Sequence, residues 1–485
     1  MHSMMGRRGE SRAEVETLGK ARDPQELFQR VSCEPLPVLL HSSKCDPVMG
    51  RYSIVAWDPF LVLRCRQGRG TVRSRERESI FDGDPFPVLR AELDRYRMAP
   101  VPGIPFVGGA IGYLGYPLRQ WTGARSRQEV QPSPWMDLHL AFYDRAYVVD
   151  HAAGLTHLVS TGMAERGPSR RLEKRRLDLR GMREVVDSQI RQAPDCAAPR
   201  NGSVKFQVDR DSYLKKIRRA QELLQAGDIY QVNLSHRIEV EGDWTGASLY
   251  RELVTSHPGC FSAYLPFADH EVLCASPERL VKLSGRRVET RPIKGTRARG
   301  TTPGDDSRAR ADLASGAKER SENVMIVDLA RNDLGRVCVP GSVATEDLCR
   351  VETLPSVHHL VSTISGILHE GSDRVDLVRA LFPGGSMTGA PKIRAMEIID
   401  ELEGVERGIY SGSIGYFSFD GDLDLNIVIR SIVLAGRTAQ LQVGGAILAE
   451  SDPGAEYQET LDKARPLLDL LSGSGRRGLE GTGGE

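Results

Sequence analysis

The chain has 485 residues and carries 65 Lys+Arg against 65 Asp+Glu, a formal net charge of zero. That balance argues against a dedicated nucleic-acid binder, which carries a basic excess; the Arg-rich runs GRRGESR and RRLEKRRLDLR read as solvated segments. No apolar run approaches the about 18 residues that span a bilayer, the first residues lack a signal-peptide core, and none of the eight cysteines forms a C-x-x-C pair, so reduced thiols in a cytoplasmic protein without membrane or nucleic-acid partners are expected.

Residues 1–20 are polar and read as disordered. Residues 21–165 form a strand-rich region: PLPVLLHSS, RYSIVAWDPFLVLRC, FVGGAIGYLGYPL, LHLAFYDRAYVVDH and LTHLVSTG are β-branched and aromatic runs bounded by Gly, Pro and Asp. Residues 166–203 hold a polar helix, PSRRLEKRRLDLRGMREVVDSQIRQ, and a linker, APDCAAPRNGS, the best domain boundary. From 204 to 470 helices alternate with groups of strands. DRDSYLKKIRRAQELLQAGD has an apolar stripe of Tyr213, Ile217, Ala220 and Leu224 and stops at Gly227. IYQVNLSHRIEVE is a strand, HEVLCASPERLVKLSGRRVETRPIKGT two or three antiparallel strands, and DDSRARADLASGAKERSENVMIVDLARNDLGRV one long helix. GAPKIRAMEIIDELE is another helix, the segment from 408 to 450 a strand meander, and SDPGAEYQETLDKARPLLDLL a closing helix with Asp452 as N-cap. The Gly-rich tail, 471–485, reads as disordered. Grouped antiparallel strands with helices between the groups predict an α+β fold.

Several residues stand where chemistry is expected. Lys294, in ETRPIKGTRARG, has Arg291 and Arg297 nearby; like charges make an ammonium harder to keep, and a lysine that is neutral near pH 7 is a nucleophile or base, the alternative being a solvated surface charge. Glu322 lies on the apolar stripe of its helix with Met325, Ile326 and Leu329, where a carboxylate needs a partner. In the last helix Glu456 and Glu459 are three apart and Lys463 follows at i+4, which suits either a surface ion pair or, with Glu322, a Mg²⁺ site. FPGGSMTGAPKIRAM is a Gly-rich loop entering a helix, suited to an anion or to a turn, and is not a Walker loop. Gly444 and Gly445 in a strand suggest close backbone approach by a ligand. Arg430, in the apolar strand LNIVIRSI, is expected to be buried against a carboxylate. Glu278 in SPERL is a general acid or a strand-end charge, and His359 a pocket or core histidine.

Together GDIYQVNLS, SPERL, RPIKGTR, SENVMIVDLARNDLGRV, VHHLVSTISG, FPGGSMTGAPKIRAMEIIDELE, YSGSIGY and AEYQETLDKA resemble, in order and spacing, the chorismate-utilising enzymes. The resemblance spans about 31 to 470 and implies two large antiparallel sheets packed as a sandwich with helices outside. Within the family PIKGT, YQVNLS and LLHS resemble the aminodeoxychorismate synthase component I type; anthranilate synthases carry PIAGT. Isochorismate and salicylate synthases share the lysine, as a base acting on water, but lack this N-terminal region. The resemblance implies a transaminase-class enzyme of folate and 4-aminobenzoate biosynthesis that turns chorismate and ammonia into 4-amino-4-deoxychorismate. It assigns Glu322 and Glu459 to Mg²⁺, with Lys463 close by. Arg430, Gly444, Gly445 and Ala446 fall to the enolpyruvyl carboxylate, although GGA departs from the family's usual GGG or GAG. Glu278 matches the general acid, Thr296 and His359 the pocket lining, and Lys294 the covalent nucleophile. A separate glutamine amidotransferase subunit would supply ammonia, since G-x-C-x-G is absent from the sequence. A bound tryptophan, structural rather than inhibitory, would be lined by Ser42, Met49, Gly50, Arg51, Tyr52, Phe261 and Ser262. The competing expectations are an anthranilate synthase component I and a non-catalytic effector-binding scaffold subunit.

Overall fold

A computed structural model describes residues 12–46, 49–123, 130–188, 203–353 and 357–473. Residues 1–11, most of the expected linker with Cys196, and the tail from 474 lie outside the described residues. Two twelve-stranded sheets carry the fold, and every pairing between their strands is antiparallel. In one, strands of the first 160 residues, such as Tyr52–Ala56 and Arg145–Asp150, continue through Phe261–Pro266 and Glu271–Ser276 to Thr438–Ile447 and Gln231–Glu241. In the other, Leu61–Arg66, Gly109–Leu114 and Leu138–Tyr143 join Ser413–Ser418, Leu423–Asn426, Arg279–Ser284 and Val357–Ile367. Strands from both sides of the expected boundary at 166–203 therefore share both sheets.

Strand alternation explains the layering. Ile54, Ala56, Val272 and Cys274 of the first sheet meet Leu61, Leu63, Ile111, Leu140 and Leu425 of the second in one buried cluster between the sheets. The intervening Val55 and Leu273 point the other way, with Ile432 and Leu441, and are covered by the helices Pro24–Val31, Gly246–Ser256 and Pro453–Ser472. Val232 and Leu234 pack under Arg210–Gln225 and Lys392–Glu403. The result is the expected α+β sandwich with helices outside. No described helix is long and apolar enough to cross a membrane.

Four expectations are corrected. Residues 14–18 of the polar N-terminus form a strand, Glu14–Leu18, paired with Leu155–Ser160. The long helix is two, Pro303–Ser315 and Ala317–Gly335, broken at Gly316, whose ψ of 108° is not helical. HEVLCASPERLVKLSGRRVETRPIKGT folds as four strands rather than two or three. LNIVIRSI is not one strand: Leu423–Asn426 ends in the second sheet, Ile427 to Arg430 cross over, and Ser431–Ala435 begins in the first. The same kind of crossing lies within RYSIVAWDPFLVLRC, LHLAFYDRAYVVDH and EVLCASPERLVKLS.

Where the second sheet is tightest, glycine is obligatory: a Cβ on Gly415 would lie 2.0 Å from the Asp424 carbonyl oxygen of the paired strand. Gly415→Ala is expected to cost about 1–3 kcal/mol, the usual range for overpacking, read as a lower urea midpoint; an unchanged midpoint would show that this pairing yields freely.

Candidate active site

Two sheet crossings build one wall of the site. Pro277 and Glu278 cross between Glu271–Ser276 and Arg279–Ser284, and Ile427 to Arg430 cross alongside in the opposite direction. The crossings are bonded to each other, Ile427 N–H to the Glu278 carbonyl at 3.0 Å and Ala275 N–H to the Arg430 carbonyl at 3.1 Å. Arg430 is accordingly not a buried strand residue: it is solvent-exposed, has a left-handed φ of 51°, and forms no ion pair with a described carboxylate. Glu278 is only 4% exposed. Burial is the main cause that pushes its carboxyl up to about 7, against the opposing pull of the Ser386 hydroxyl, Lys294, Ile293 N–H and Arg430. The Gly-rich loop thus contributes Ser386 beside this carboxyl. Its Gly389 and Ala390 form a short strand against Gln231 and Val232, and Pro391 is the N-cap of Lys392–Glu403.

Lys294 lies on the Ile293–Ala298 strand, which pairs with Val357–Ile367. Its side chain is largely buried, and its Nζ lies 3.9 Å from Glu322 Oε2. Burial lowers its pKa, and Lys463 adds to that, while Glu322, Glu278 and Glu459 oppose it. The flanking arginines expected to help do not: Arg291 pairs with Glu352, and Arg297 pairs at 2.7 Å with both Asp312 and Glu319. Gly295, with φ of 78°, turns the strand between Lys294 and Thr296, and a Cβ there would meet Leu313 at 2.9 Å and Glu319 at 3.0 Å.

The two acidic helices meet. Lys318 of Ala317–Gly335 reaches Glu456 of Pro453–Ser472 at 3.4 Å. Burial raises the Glu322 carboxyl, Lys294 and Lys318 lower it, and Glu456 and Glu459 raise it further. Glu459 is half-exposed and sits 2.7 Å from Lys463; burial would raise its pKa, but the Lys463 ammonium holds it below the usual carboxylate value. Lys463 also donates to the Gly444 carbonyl at 3.0 Å. The glycine pair divides its work: a Cβ on Gly444 would strike the Leu234 carbonyl oxygen at 2.5 Å, so its close approach is to the neighbouring strand, whereas one on Gly445 would come 3.3 Å from Glu456 Oε2. Ala446 is half-buried beside them. Glu456, weighed above only as half of an i,i+3 pair, is 5% exposed and held by Ser451 Oγ at 2.7 Å. A shared helix face with Glu459 was its only signal in the sequence. Glu322 and Glu459 are electrostatically coupled hard oxygen donors, the kind that a divalent cation takes when substrate oxygens and water complete its shell. No group of three or more His, Cys, Asp or Glu able to hold a metal by itself occurs among the described residues.

Thr296 Oγ1 and His359 Nδ1 are 2.9 Å apart on the paired strands. Burial, with Arg430 and Lys44 adding to it, brings His359 down to about 4, so its ring is neutral at pH 7. A separate cavity of about 660 Å³ opens between the sheets and is lined by Ser42, Met49, Arg51, Tyr52, Phe261 and Ser262 among others. Gly50 is not in its wall; it bridges to Asp46. Arg279, absent from the sequence reading, stacks over Phe261 at 4.9 Å and approaches Met49 Sδ at 3.4 Å.

The doubled antiparallel sandwich thus brings a buried carboxyl, a buried lysine and a pair of acidic helices within electrostatic reach of one another. The chain belongs to the chorismate binding enzyme family, whose pattern matches residues 46–469. Aminodeoxychorismate synthase component 1 of Escherichia coli (strain K12) is 39% identical over 446 residues, 92% of this chain and 95% of that protein. Anthranilate synthase component 1 of Acetivibrio thermocellus is 34% identical over 479 residues, 95% of each. The crystal structure of anthranilate synthase component I from Streptococcus pneumoniae TIGR4 has a TM-score of 0.76 at 30% identity and covers 88% of this chain and 93% of that one.

The raised carboxyl of Glu278 has a stability consequence with a definite sign. The fold binds this proton more tightly than the unfolded chain does, so stability falls as pH rises from the ordinary carboxylate range through about 7. Glu278→Gln removes that cost. Its stability gain over the parent is expected to be roughly 2 kcal/mol larger at pH 8 than at pH 5.5, measured by urea unfolding at both pH values. A gain that is equal at the two would show that Glu278 ionises normally.

Proposed function

We propose that this chain acts as an aminodeoxychorismate synthase component I, exchanging the 4-hydroxyl of chorismate for an amino group with ammonia from a separate glutamine amidotransferase subunit, a partner in keeping with the name component 1 of its relatives. The observation that supports this most is Lys294. Where the anthranilate-forming type has alanine, this chain has a lysine, buried and 3.9 Å from Glu322.

In this reading the ring carboxylate of chorismate faces Glu322, Glu459 and Lys463, and the enolpyruvyl carboxylate faces Arg430, which no described carboxylate pairs, and the backbone N–H groups about Gly444, Gly445 and Ala446. Glu322 and Glu459 would hold Mg²⁺, which when bound supplies polarisation of that ring carboxylate. The lone pair of neutral Lys294 forms a bond to ring carbon 2, the ring double bonds shift, and the C4–O bond breaks. Glu278, protonated up to about pH 7, gives its proton to the departing oxygen, which leaves as water. Ammonia then forms the C4–N bond, the double bonds return, and the C2–N bond breaks to release the lysine amine. The net change is one hydroxyl out as water and one amino group in. Thr296 and the neutral ring of His359 line the pocket without adding charge. In the inter-sheet cavity we place a tryptophan with a structural role, stacked against the Phe261–Arg279 wall.

Given chorismate, Mg²⁺ and ammonium at alkaline pH, the chain is expected to yield 4-aminobenzoate only after a lyase is added. Lys294→Ala is expected to lose amination while still binding chorismate. Anthranilate fluorescence would reject the assignment in favour of the anthranilate type, no loss of chorismate would favour a scaffold, and an active Lys294→Ala chain would remove the covalent step. For the cavity, calorimetry is expected to register tryptophan binding, or denaturation to release tryptophan already bound; neither heat nor released tryptophan would discard that site.

A further inference from the structure

A buried primary amide must satisfy both its donor and its acceptor side or cost stability. Asn323 is such a residue. It follows Glu322 on Ala317–Gly335 and is completely buried. Successive residues on a helix point about 100° apart, so while Glu322 faces Lys294, Asn323 faces the Val357–Ile367 strand. Its Nδ2 donates to the Leu360 carbonyl at 3.5 Å, and its Oδ1 accepts from Ser362 Oγ, with Cys349 Sγ 3.6 Å away.

These two contacts fall where the lysine strand is held. Leu360 is the register partner of Lys294, and Ser362 N–H donates to the Pro292 carbonyl at 3.2 Å. On the other side of the same strand, Ala344–Thr353 skips register between Asp347 and Arg350, and Cys349, in a left-handed conformation with φ of 53°, donates its N–H to Ser362 Oγ at 2.9 Å. Ser362 is therefore the knot: its hydroxyl takes the N–H that the bulge frees and gives its own proton to Asn323. The helix bearing Glu322 and the strand bearing Lys294 are joined directly by Arg297 and Glu319 at 2.7 Å, an exposed-edge pair, and Asn323 adds a completely buried tie through Val357–Ile367.

We propose that Asn323, through Ser362 and Leu360, is the positioning residue that sets the reach between Lys294 and the Glu322 carboxylate. The proposal rests on the functional reading above for what that reach is used for, but the reach itself is a property of this network. Asn323 touches neither substrate nor metal; a merely structural role would make its loss a matter of stability alone.

The test compares the parent chain with Asn323→Leu, which keeps the branched outline of the side chain and removes its hydrogen bonds, and Ser362→Ala, which removes the bond to Asn323 Oδ1 together with the one from Cys349 N–H. Thermal unfolding first establishes that each is folded. Mg²⁺ binding is then measured by calorimetry, and kcat and KM for chorismate are measured separately. Residues that orient a metal ligand typically contribute 10–100-fold, so Asn323→Leu is expected to weaken Mg²⁺ binding by about 10-fold or more and to lower kcat with little change in KM. Ser362→Ala should fall between it and the parent. A folded Asn323→Leu chain with parental Mg²⁺ affinity and kcat overturns the proposal, however much its melting temperature drops. If that variant does not fold, Ser362→Ala decides alone, and parental values in it are equally fatal. Failure of the functional reading is distinct: it appears as a parent chain that does not consume chorismate, while the Mg²⁺ titrations still report on Asn323.

Discussion

Taking the Lys294 amine out of water is the constraint on which the site depends. A free lysine titrates near 10.4, which leaves about 0.4% neutral at pH 8, too little for an efficient nucleophile. Burial shifts the balance toward the neutral amine, and the nearby carboxylates push back. Each proton is coupled to the others. When Lys294 is neutral it no longer draws Glu278 toward ionisation, so a neutral amine and a protonated acid support one another. The pair therefore favours the two forms that the proposed amine attack and oxygen departure would require. Opposition from Glu322 is greatest when that carboxylate has no other cation, so a divalent ion on Glu322 and Glu459 would relax the lysine in the same direction.

The surroundings keep this balance narrow. Lys318, Lys463 and Lys294 compensate Glu322, Glu456 and Glu459 at contacts of 2.7 to 3.9 Å. Arg291 and Arg297 are withdrawn into their own ion pairs, leaving Arg430 as the guanidinium of the cleft without a described carboxylate partner. In the proposed reading, a dianionic substrate would meet Arg430 on the crossing wall and the lysine-buffered Glu322 and Glu459 with its other carboxylate.

Much of this was legible before any coordinates. Period-2 and period-3.6 patterning located most strands and helices, and the capping Asp452 is where the sequence puts it, accepting from Ala455 N–H at 2.7 Å. What patterning does not carry is which sheet a strand joins. A run such as LNIVIRSI stays apolar through a crossing because both sheets bury it, so hydrophobicity is blind to the bend at Ile427 to Arg430. The same blindness made Arg430 look buried. The direction of Arg291 and Arg297 was equally hidden, because it depends on Glu352, Asp312 and Glu319, remote in sequence or on another element. Glu456 was passed over because a glutamate is ordinarily solvated; Ser451, the Gly445 strand and Lys318 of Ala317–Gly335 together enclose it.

Glu278 and Arg430 ride on two short bridges, laced to each other, that are among the joints between the halves of the sandwich. A shear of one sheet over the other would be felt at those joints, and the spacing of the acid and the guanidinium is therefore held by the close packing of the core between the sheets, a stiffness spread over many apolar side chains.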